Sequence, residues 1–260
     1  MSRMGCTHSV KEHGLERKMT KLRSIGGSEG STFFLDKKHM LWKKRTEMNP
    51  CHSTNIELRN LRIMNLQQSD YILHPLNIIR TDPCTIFVCM DFAGPDLFDY
   101  MRKPFKWNCM QIYLGHIREA IHFLHNNGIA HRDIKPENVI FQKGIPKLID
   151  WDFSSTLDNF YYCGSANYMM DKLTVDNWTC SNIIKSKRMD IYAFGKLVFS
   201  VLLSAAQFPQ HKSFLLYAFF NEKFLTNPYK GERGKWANIA VQCCKCRPPE
   251  QIPEYLNIPE

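Results

Sequence analysis

No apolar run in this chain is long enough to cross a membrane as a helix. The longest, at 191–206, is interrupted by Gly195, Lys196 and serines, whereas a membrane-spanning helix needs roughly 18 or more such residues. The amino-terminal residues are polar and charged, without the apolar core of a secretory signal. These absences predict a chain with no transmembrane segment that works in the cytoplasm or the nucleus.

The chain also lacks a complete set of zinc ligands near its cysteine-rich stretch. Cys243, Cys244 and Cys246 have neither a second CxxC pair nor an HxxxH pair close by. A structural zinc site has four ligands, so we expect none here. Because no export signal is visible, the ten cysteines are predicted to be reduced thiols.

Internal repeats and low-complexity segments are absent, and 44% of the 260 residues are hydrophobic. This composition excludes a disordered chain and suits one domain or two small lobes. The formal net charge of +9 favours anionic partners, namely nucleotide phosphates, acidic proteins, nucleic acid or a membrane surface. Since the basic residues are spread along the chain, the charge does not choose among these partners.

Strand patterns precede helix patterns along the chain. Residues 1–22 are polar and basic and predict a flexible arm, and 23–44 alternate as in a β-hairpin. The further predicted elements are a helix at 54–66, a buried strand at Ile86–Met90, a helix at 108–127, strands at Val139–Phe141 and Lys147–Ile149, and helices after 187. This order predicts an α+β fold with a small sheet lobe and a larger helical lobe.

The segment 131–138, which reads HRDIKPEN, carries the strongest chemical signal. It follows a predicted helix and precedes a strand. The carboxylate of Asp133 would accept a substrate hydroxyl proton, and the cation of Lys135 would offset charge on a transferred phosphoryl group. The carbonyl oxygen of Asn138 is a hard ligand that suits Mg²⁺.

This segment resembles the catalytic loop of eukaryotic-type serine/threonine protein kinases, and the resemblance covers about 24–255. It implies a two-lobed fold with a β-rich lobe at 23–91 and a helical lobe at 92–260. It also implies ATP and Mg²⁺, with Mn²⁺ as an alternative ion, and protein substrates. Lys135 matches the serine/threonine branch. The compact length suggests a divergent, virus-encoded member that acts in an infected host cell.

The segment 147–153 reads KLIDWDF and resembles the stretch that supplies the family's second metal-binding Asp. We assign that role to Asp150, because Asp152 would need two more residues in the preceding hairpin. In the two registers the family's glycine is replaced by Asp152 or by Ser154, respectively. Glycine permits backbone angles that other residues resist, so the segment is expected to flip less freely.

The amino-terminal part resembles the nucleotide-binding elements of the family. Gly27 and Gly30 stand in the pattern of the glycine-rich loop, whose backbone N–H groups reach phosphate oxygens. Lys43 is the candidate for the lysine that pairs the α- and β-phosphates, with Lys44 as its neighbour. Only one of the two can serve, because adjacent strand residues face opposite sides. Glu57, on the following helix, is the implied partner of the lysine.

The segment 88–97 resembles the connection between the lobes, where adenine binds. Met90 would be the gatekeeper beside the adenine pocket, and the backbone of Asp91 and Ala93 would hydrogen-bond adenine. Asp96 would reach the ribose hydroxyls. Ile140 corresponds to the floor of this pocket.

The segment from Asp150 to about Lys172 resembles the activation segment. A phosphate could modify hydroxyl groups within it, namely those of Ser154, Ser155, Thr156, Tyr161 and Tyr162. Arg132 is the group that would hold such a phosphate. Ser165 matches the residue that positions the acceptor near Asp133. The segment 190–195 begins with Asp190 and resembles the helix start that anchors the catalytic loop in the family. The family's Ala-Pro-Glu is replaced by Met-Asp-Lys at 170–172, and we predict that Asp171 pairs with Arg247 instead.

Two other functions compete with the kinase hypothesis. The first is a pseudokinase that binds nucleotide or protein partners without turnover. It is suggested by Ile25 in place of the first glycine of the glycine-rich loop, by the glycine lost after Trp151 and by the change at 170–172. The residues that would touch the reaction are nevertheless all present. The second is nucleic-acid binding, which rests on the net charge alone.

Overall fold

A computed structural model describes residues 23–28, 31–91, 94–205 and 231–245. The predicted arm at 1–22 lies outside these residues. The strands are β1 Arg23–Ser28, β2 Ser31–Leu35, β3 Met40–Thr46, β4 Asn77–Asp82, β5 Thr85–Asp91, β6 Ile129–Ala130, β7 Val139–Gln142, β8 Ile145–Leu148 and β9 Ser155–Thr156. The helices are α1 Pro50–Met64, α2 Leu97–Met101, α3 Trp107–Asn126, α4 Lys172–Asp176, α5 Asn182–Ala205 and α6 Gly231–Cys244, with 3₁₀ turns at Pro136–Asn138 and Ala166–Tyr168.

The chain divides into two compact units. Unit 1 comprises Met1–Ser69 and Leu73–Ala93, and unit 2 comprises Asp70–Ile72 and Gly94–Glu260. The α+β class predicted from the sequence is confirmed, since the large sheet belongs to unit 1 and the long helices belong to unit 2. The lobe boundaries predicted from the sequence, 23–91 and 92–260, stay a prediction.

Unit 1 is built on a five-stranded antiparallel sheet in the order β1-β2-β3-β5-β4. The hairpin predicted within 23–44 is confirmed as β2 and β3, and β1 pairs with β2 as a further strand. The β2–β3 turn is fixed by Asp36, whose carboxylate accepts the backbone N–H groups of Lys38 and Met40 at 2.8 and 2.9 Å. The indole N–H of Trp42 donates to the same carboxylate at 3.1 Å. The turn therefore sets the register of the two strands.

The inner strand β5 is buried on both faces, as its continuous apolar sequence predicts. On one face Phe87 and Cys89 pack with Phe34 and Trp42. On the other face Ile86 and Val88 pack against Ile56 of α1, which is fully buried. Helix α1 overlaps the predicted 54–66 helix, but it ends at Met64 and begins earlier, at Pro50, because the side chain of Asn49 accepts the N–H of Cys51 and caps it.

Unit 2 is mainly helical, with α3 and α5 as its long helices. Helix α3 confirms the predicted helix at 108–127. Its buried side chains recur at helical spacing, and include Met110, Leu114, Ile117, Ile121 and Leu124. Helix α5 buries most of its side chains between Ser186 and Leu203. Among the residues that the structure describes, no helix is long and apolar enough to span a membrane.

One feature of α5 corrects the sequence analysis. The resemblance places Asp190 at the start of a helix, but α5 begins at Asn182, so Asp190 lies within it. The earlier turns are held because the hydroxyl of Ser186 donates to the carbonyl of Leu157 at 2.8 Å and the amide of Asn182 donates to the carbonyl of Asp158 at 3.1 Å.

Candidate active site

The segment 131–138 is held in place by a buried carboxylate, that of Asp190. Asp190 is 1% exposed. One oxygen accepts the backbone N–H of Arg132 at 2.7 Å, and the other accepts the N–H of His131 at 2.8 Å and contacts His125 Nε2 at 2.9 Å. The expectation that Asp190 anchors this loop is confirmed. Arg132 adopts φ +71°, a conformation that side chains resist, and these bonds hold it there.

Asp133 lies at the centre of a cluster of donors. Its Oδ1 accepts the backbone N–H of Ser165 at 2.9 Å. Its Oδ2 accepts Lys135 Nζ at 2.7 Å and Asn138 Nδ2 at 2.9 Å. Asp133 is only 4% exposed, so these donors fix the direction of its carboxylate. The structure therefore brings together the three catalytic residues predicted from the sequence.

Ser165 lies beside Asp133, as the sequence predicts. Its hydroxyl accepts Lys135 Nζ at 2.8 Å, so the ammonium bridges Ser165 and Asp133. The preceding Gly164 has φ +128°, and a Cβ there would lie 2.5 Å from the carbonyl oxygen of Arg132. Only glycine permits both this backbone angle and this close approach. Gly164 thus allows the activation segment to contact the catalytic loop.

Asn138 and Asp150 lie next to each other through a backbone hydrogen bond. The N–H of Ile149, which precedes Asp150, donates to the carbonyl of Asn138 at 3.0 Å. The amide nitrogen of Asn138 donates to the backbone carbonyl and the carboxylate of Asp133. The amide group is therefore oriented with its nitrogen toward Asp133, and its carbonyl oxygen is the atom suited to a cation.

These two residues fit a Mg²⁺ ion by their chemistry. An amide oxygen and a carboxylate are hard oxygen ligands, and Mg²⁺ in phosphoryl-transfer sites takes one or two carboxylates with phosphate oxygens as further ligands. Within the described residues, no group of three His, Cys, Asp or Glu side chains is arranged to hold a metal. Asn138 and Asp150 are therefore the candidate ligands in this part of the chain.

The residues after Asp150 pack against the catalytic loop. The ring of Trp151 lies 5.1 Å from that of His131, and Trp151 is 3% exposed. His131 Nε2 contacts the carbonyl of Ile149 at 2.9 Å. Asp150 adopts φ +70°. The backbone N–H and the hydroxyl of Ser154 both donate to the carbonyl of Trp151, at 3.1 and 2.9 Å.

In unit 1, Lys43 and Lys44 face opposite sides of β3. Lys43 is the buried one, at 6% exposure, whereas the Lys44 ammonium lies 5.7 Å from the centre of the Phe87 ring. Gly27 lies on β1 opposite Thr32, and Gly30 is outside the described residues. The role of Lys43 as the phosphate-binding lysine stays a prediction.

Glu57 forms an ion pair that the sequence analysis did not anticipate. Its Oε2 accepts Arg80 Nε at 2.6 Å, and the same guanidinium forms a second contact with this oxygen through Nη2. Arg80 also donates to the carbonyl of Pro83 at 3.0 Å. Arg80 lies on β4, so this pair ties α1 to the edge of the sheet. Pairing of Glu57 with Lys43 stays a prediction.

The predicted adenine- and ribose-binding residues divide between the units. In unit 1, Met90 packs beside Ile56, Ile86 and Val88, and Asp91 pairs with Met40 at the end of the sheet. Ala93 is outside the described residues.

In unit 2, Asp96 bridges to Ile140, which is 8% exposed. Asp96 Oδ1 accepts the N–H of Asp99 at 2.7 Å and caps α2. Burial raises the pKa of the Asp96 carboxyl, and the charge of Asp99 adds to this effect.

Asp171 acts as a helix cap. Its Oδ2 accepts the N–H and the hydroxyl of Thr174, at 2.9 and 3.1 Å, at the start of α4. Arg247, its predicted partner, lies outside the described residues, so the predicted pair stays a prediction. The cap is local in sequence, and an Asp three residues before Thr174 is the signal from which it could have been predicted.

Three other contacts were missed because they join residues far apart in the sequence. They are the bond of His125 to Asp190, the pair of Glu57 with Arg80 and the stacking of Trp151 on His131. In addition, Asp70–Ile72 belong to unit 2 although unit 1 surrounds them in sequence. The N–H of Leu148 donates to the carbonyl of Tyr71 at 3.0 Å, which attaches this segment to β8.

Comparison with known proteins agrees with this geometry. A family model described as the protein kinase domain matches residues 34–244. The chain is 29% identical to serine/threonine-protein kinase PKH1 of Saccharomyces cerevisiae, over 52% of this chain and 20% of that protein. It is 26% identical to the cAMP-dependent protein kinase catalytic subunit of Dictyostelium discoideum, over 62% of this chain and 26% of the relative.

A third relative is cAMP-dependent protein kinase type 3 of Saccharomyces cerevisiae, at 28% identity over 72% of this chain and 48% of that protein. The matched regions thus span about a fifth to a half of these relatives' length.

Proposed function

Because the chain belongs to the protein kinase family, we propose that it transfers the γ-phosphate of ATP to serine and threonine hydroxyls of proteins. The observation that carries this proposal is the cluster at Asp133, whose carboxylate is bonded to Ser165, Lys135 and Asn138. The similarity to relatives named serine/threonine-protein kinases supports the class of acceptor.

In the proposed reaction, the oxygen of the substrate hydroxyl forms a bond to the γ-phosphorus. The bond from that phosphorus to the bridging oxygen breaks, and ADP leaves with the electron pair. The hydroxyl proton passes to the carboxylate of Asp133. This carboxylate orients the hydroxyl, because its own direction is fixed by three donors.

Lys135 would stabilise the charge on the transferred group. Two of the three donors of an ammonium are used by Asp133 and Ser165, at 2.7 and 2.8 Å. The third donor is available to an oxygen of the phosphoryl group.

Mg²⁺ held by Asn138 and Asp150 would neutralise charge on the ATP phosphates, and Mn²⁺ is the alternative ion. Gly27, Gly30 and Lys43 are proposed to bind the phosphates. Met90, Asp91, Ala93, Asp96 and Ile140 are proposed to bind the adenosine. Glu57 is proposed to orient Lys43.

Acidic proteins are one class of substrate that the formal net charge of +9 would attract. A cytoplasmic or nuclear location is proposed for the protein itself. The second candidate function is a pseudokinase. It is favoured by one observation, the replacement of the family's glycine by a side chain after Trp151.

The test is transfer of labelled phosphate from Mg-ATP to a mixed protein panel and to the chain itself. Asp133→Asn should lower the rate by about 10²–10⁴-fold, because it removes the group that accepts the proton. The matched control is Asp158→Asn, the same chemical change at an exposed residue, which should retain activity. Mapping of the labelled residues identifies the acceptor.

Thermal unfolding of each variant, with and without ATP, separates the outcomes. A folded wild-type chain that binds ATP but transfers no phosphate would replace the kinase proposal with the pseudokinase. Equal labelling by wild type and Asp133→Asn would exclude Asp133 from the proposed role.

A further inference from the structure

The guanidinium of Arg132 is a buried charge beside the proposed catalytic Asp133. The residue is 6% exposed, and its backbone is fixed by Asp190 on one side and by close contact with Gly164 on the other. Within the described residues, its Nε and Nη1 atoms have no hydrogen-bond acceptor. A buried charge needs compensation, and the sequence analysis expected a phosphate to supply it.

The structure supplies a different environment for this charge. The centre of the Tyr161 ring lies 4.0 Å from the Arg132 guanidinium carbon, and that of Phe160 lies 6.0 Å away. The third guanidinium nitrogen, Nη2, donates to the backbone carbonyl of Asn159. The face of an aromatic ring attracts a cation, and more strongly when both are desolvated. Residues 159–161 therefore form a cover over Arg132.

Three of the hydroxyl groups that a kinase could phosphorylate here, those of Ser154, Ser155 and Tyr161, are already engaged. Ser154 and Ser155 are 2% and 4% exposed. Ser154 donates to the carbonyl of Trp151, and Ser155 to the carbonyls of Thr156 and Asn159. Tyr161 donates to the carbonyl of Phe153 at 3.1 Å. A phosphate on any of these groups would break a bond that holds the segment together.

The same stretch is tied to its surroundings at further points. Strand β9 pairs with β6, and the N–H of Leu157 donates to the carbonyl of Gly128 at 2.9 Å. The carbonyls of Leu157 and Asp158 accept Ser186 and Asn182 of α5. These bonds hold both flanks of the cover without a charged modification.

We propose that Tyr161 takes the place of an activating phosphate: its ring, stacked on Arg132, holds the segment 154–171 in the arrangement that puts Ser165 against Asp133. Tyr161 is thus a positioning residue, and this role rests on the proposed kinase function. The segment is in its working conformation without phosphorylation. A phosphate bound by Arg132 is the competing source of the same stabilisation, and the experiment below separates the two.

The first arm uses the wild-type chain treated with a broad-specificity phosphatase until intact mass shows no phosphate. Hydrogen exchange of residues 154–165 should stay slow, and kcat/KM for a protein substrate, measured before autophosphorylation, should stay within about twofold of the untreated enzyme. A fall of about tenfold or more that returns on rephosphorylation, with phosphate mapped to 154–165, would overturn the proposal. Fast exchange in the dephosphorylated chain would also overturn it.

The second arm compares Tyr161→Leu with Tyr161→Phe in the dephosphorylated chain. Leu removes the aromatic face, so exchange at 154–165 should rise about fivefold or more. The KM for protein substrate should rise while the KM for ATP stays constant. Tyr161→Phe keeps the aromatic face, so its exchange rate at 154–165 and its KM for protein substrate should equal those of the wild-type chain. This result separates the effect of the aromatic ring from that of the hydroxyl bond to Phe153. Equal behaviour of the two variants would contradict the proposal.

Hydrogen exchange does not depend on turnover, so the proposal and the kinase function can fail separately. If no variant transfers phosphate but Leu speeds exchange and Phe does not, the contact holds the segment and the kinase function is wrong. If Tyr161→Leu does not fold, as judged by circular dichroism, the phosphatase arm decides.

Discussion

Asp190 shows how one buried carboxylate organises the candidate site. Burial alone would raise the pKa of its carboxyl. The hydrogen bond and charge of His125, the charge of His131 and the N–H of Arg132 outweigh burial, and they hold the pKa below its usual value of 3.8. The ionised form is therefore bound more tightly in the folded chain than in the unfolded chain, and this difference contributes to stability.

Replacing this carboxylate should destabilise the chain in a pH-dependent way. Asp190→Asn should lower the free energy of unfolding by about 3 kcal/mol at pH 7, since an amide group turns a donor toward buried N–H groups. A lowered folded pKa gives stability that is present above the unfolded pKa and is lost as pH falls through the folded pKa. Urea unfolding should therefore show a difference in free energy of unfolding between the wild-type chain and Asp190→Asn. This difference should be constant above about pH 5 and should shrink below about pH 4.

The control is the same change at Asp171, an exposed helix cap. Asn caps a helix as well as Asp does, so Asp171→Asn should change stability by less than about 0.5 kcal/mol. A loss as large as that of Asp190→Asn would instead support the predicted ion pair with Arg247. If the wild-type chain and Asp190→Asn differ in free energy of unfolding by the same amount at pH 3 and pH 7, the ionised carboxylate of Asp190 is not the source of the stability.

At the scale of elements, helices α5 and α6 approach closely at one glycine. A Cβ at Gly195 would lie 2.5 Å from Cys243 Cβ and 2.7 Å from Cys244 Sγ. It would also lie 3.0 Å from the carbonyl oxygen of Ala240. Two of these atoms belong to the backbone or to Cβ and cannot move aside cheaply. The contact therefore requires the absence of a side chain at position 195.

Gly195→Ala should destabilise the chain by about 1–3 kcal/mol, because the added methyl group overpacks the contact between the helices. The matched control is Gly115→Ala in α3, where an added Cβ meets nothing within 4 Å. Alanine favours a helix by about 1 kcal/mol relative to glycine, so this control should be stabilising. Thermal unfolding of both variants checks the prediction, and a stable Gly195→Ala would show that α6 packs differently.

At the scale of the whole molecule, ATP binding distinguishes a nucleotide-binding protein from one that binds only nucleic acid. A ligand that binds only the folded chain stabilises it by about 2.7 kcal/mol at 100 times its dissociation constant. If Asp150 holds a metal, part of the stabilisation by ATP depends on Mg²⁺ and on this carboxylate. Both a kinase and a nucleotide-binding pseudokinase would show this effect, whereas a protein that binds only nucleic acid would not.

We expect ATP to raise the unfolding temperature of the wild-type chain, and chelation of Mg²⁺ to remove most of the rise. Asp150→Asn should lose the Mg²⁺-dependent part, because an amide replaces the charged ligand. Asp152→Asn is the matched control, since Asp152 is the alternative candidate for the metal-binding Asp. This variant should retain the Mg²⁺-dependent rise in unfolding temperature, measured against the same variant without ligand. The reverse result would assign the metal to Asp152.

The sequence by itself determined the elements and residues that depend on local pattern. Alternation predicted the hairpin of β2 and β3, and helical spacing predicted α1 and α3. The spacing within 131–138 predicted that Asp133, Lys135 and Asn138 meet, because residues no more than five positions apart in a tight loop cannot lie far from one another. The α+β class followed from the order of these patterns.

The tertiary structure alone decided the contacts between distant residues. Asp190 lies 58 positions from Arg132, whose N–H it accepts, and Glu57 meets Arg80 across α1 and the sheet edge. The ring of Tyr161 covers Arg132, which lies far from it in the sequence. Such pairs leave no periodic signal, since each depends on the geometry of the whole unit and not on the spacing of its two residues.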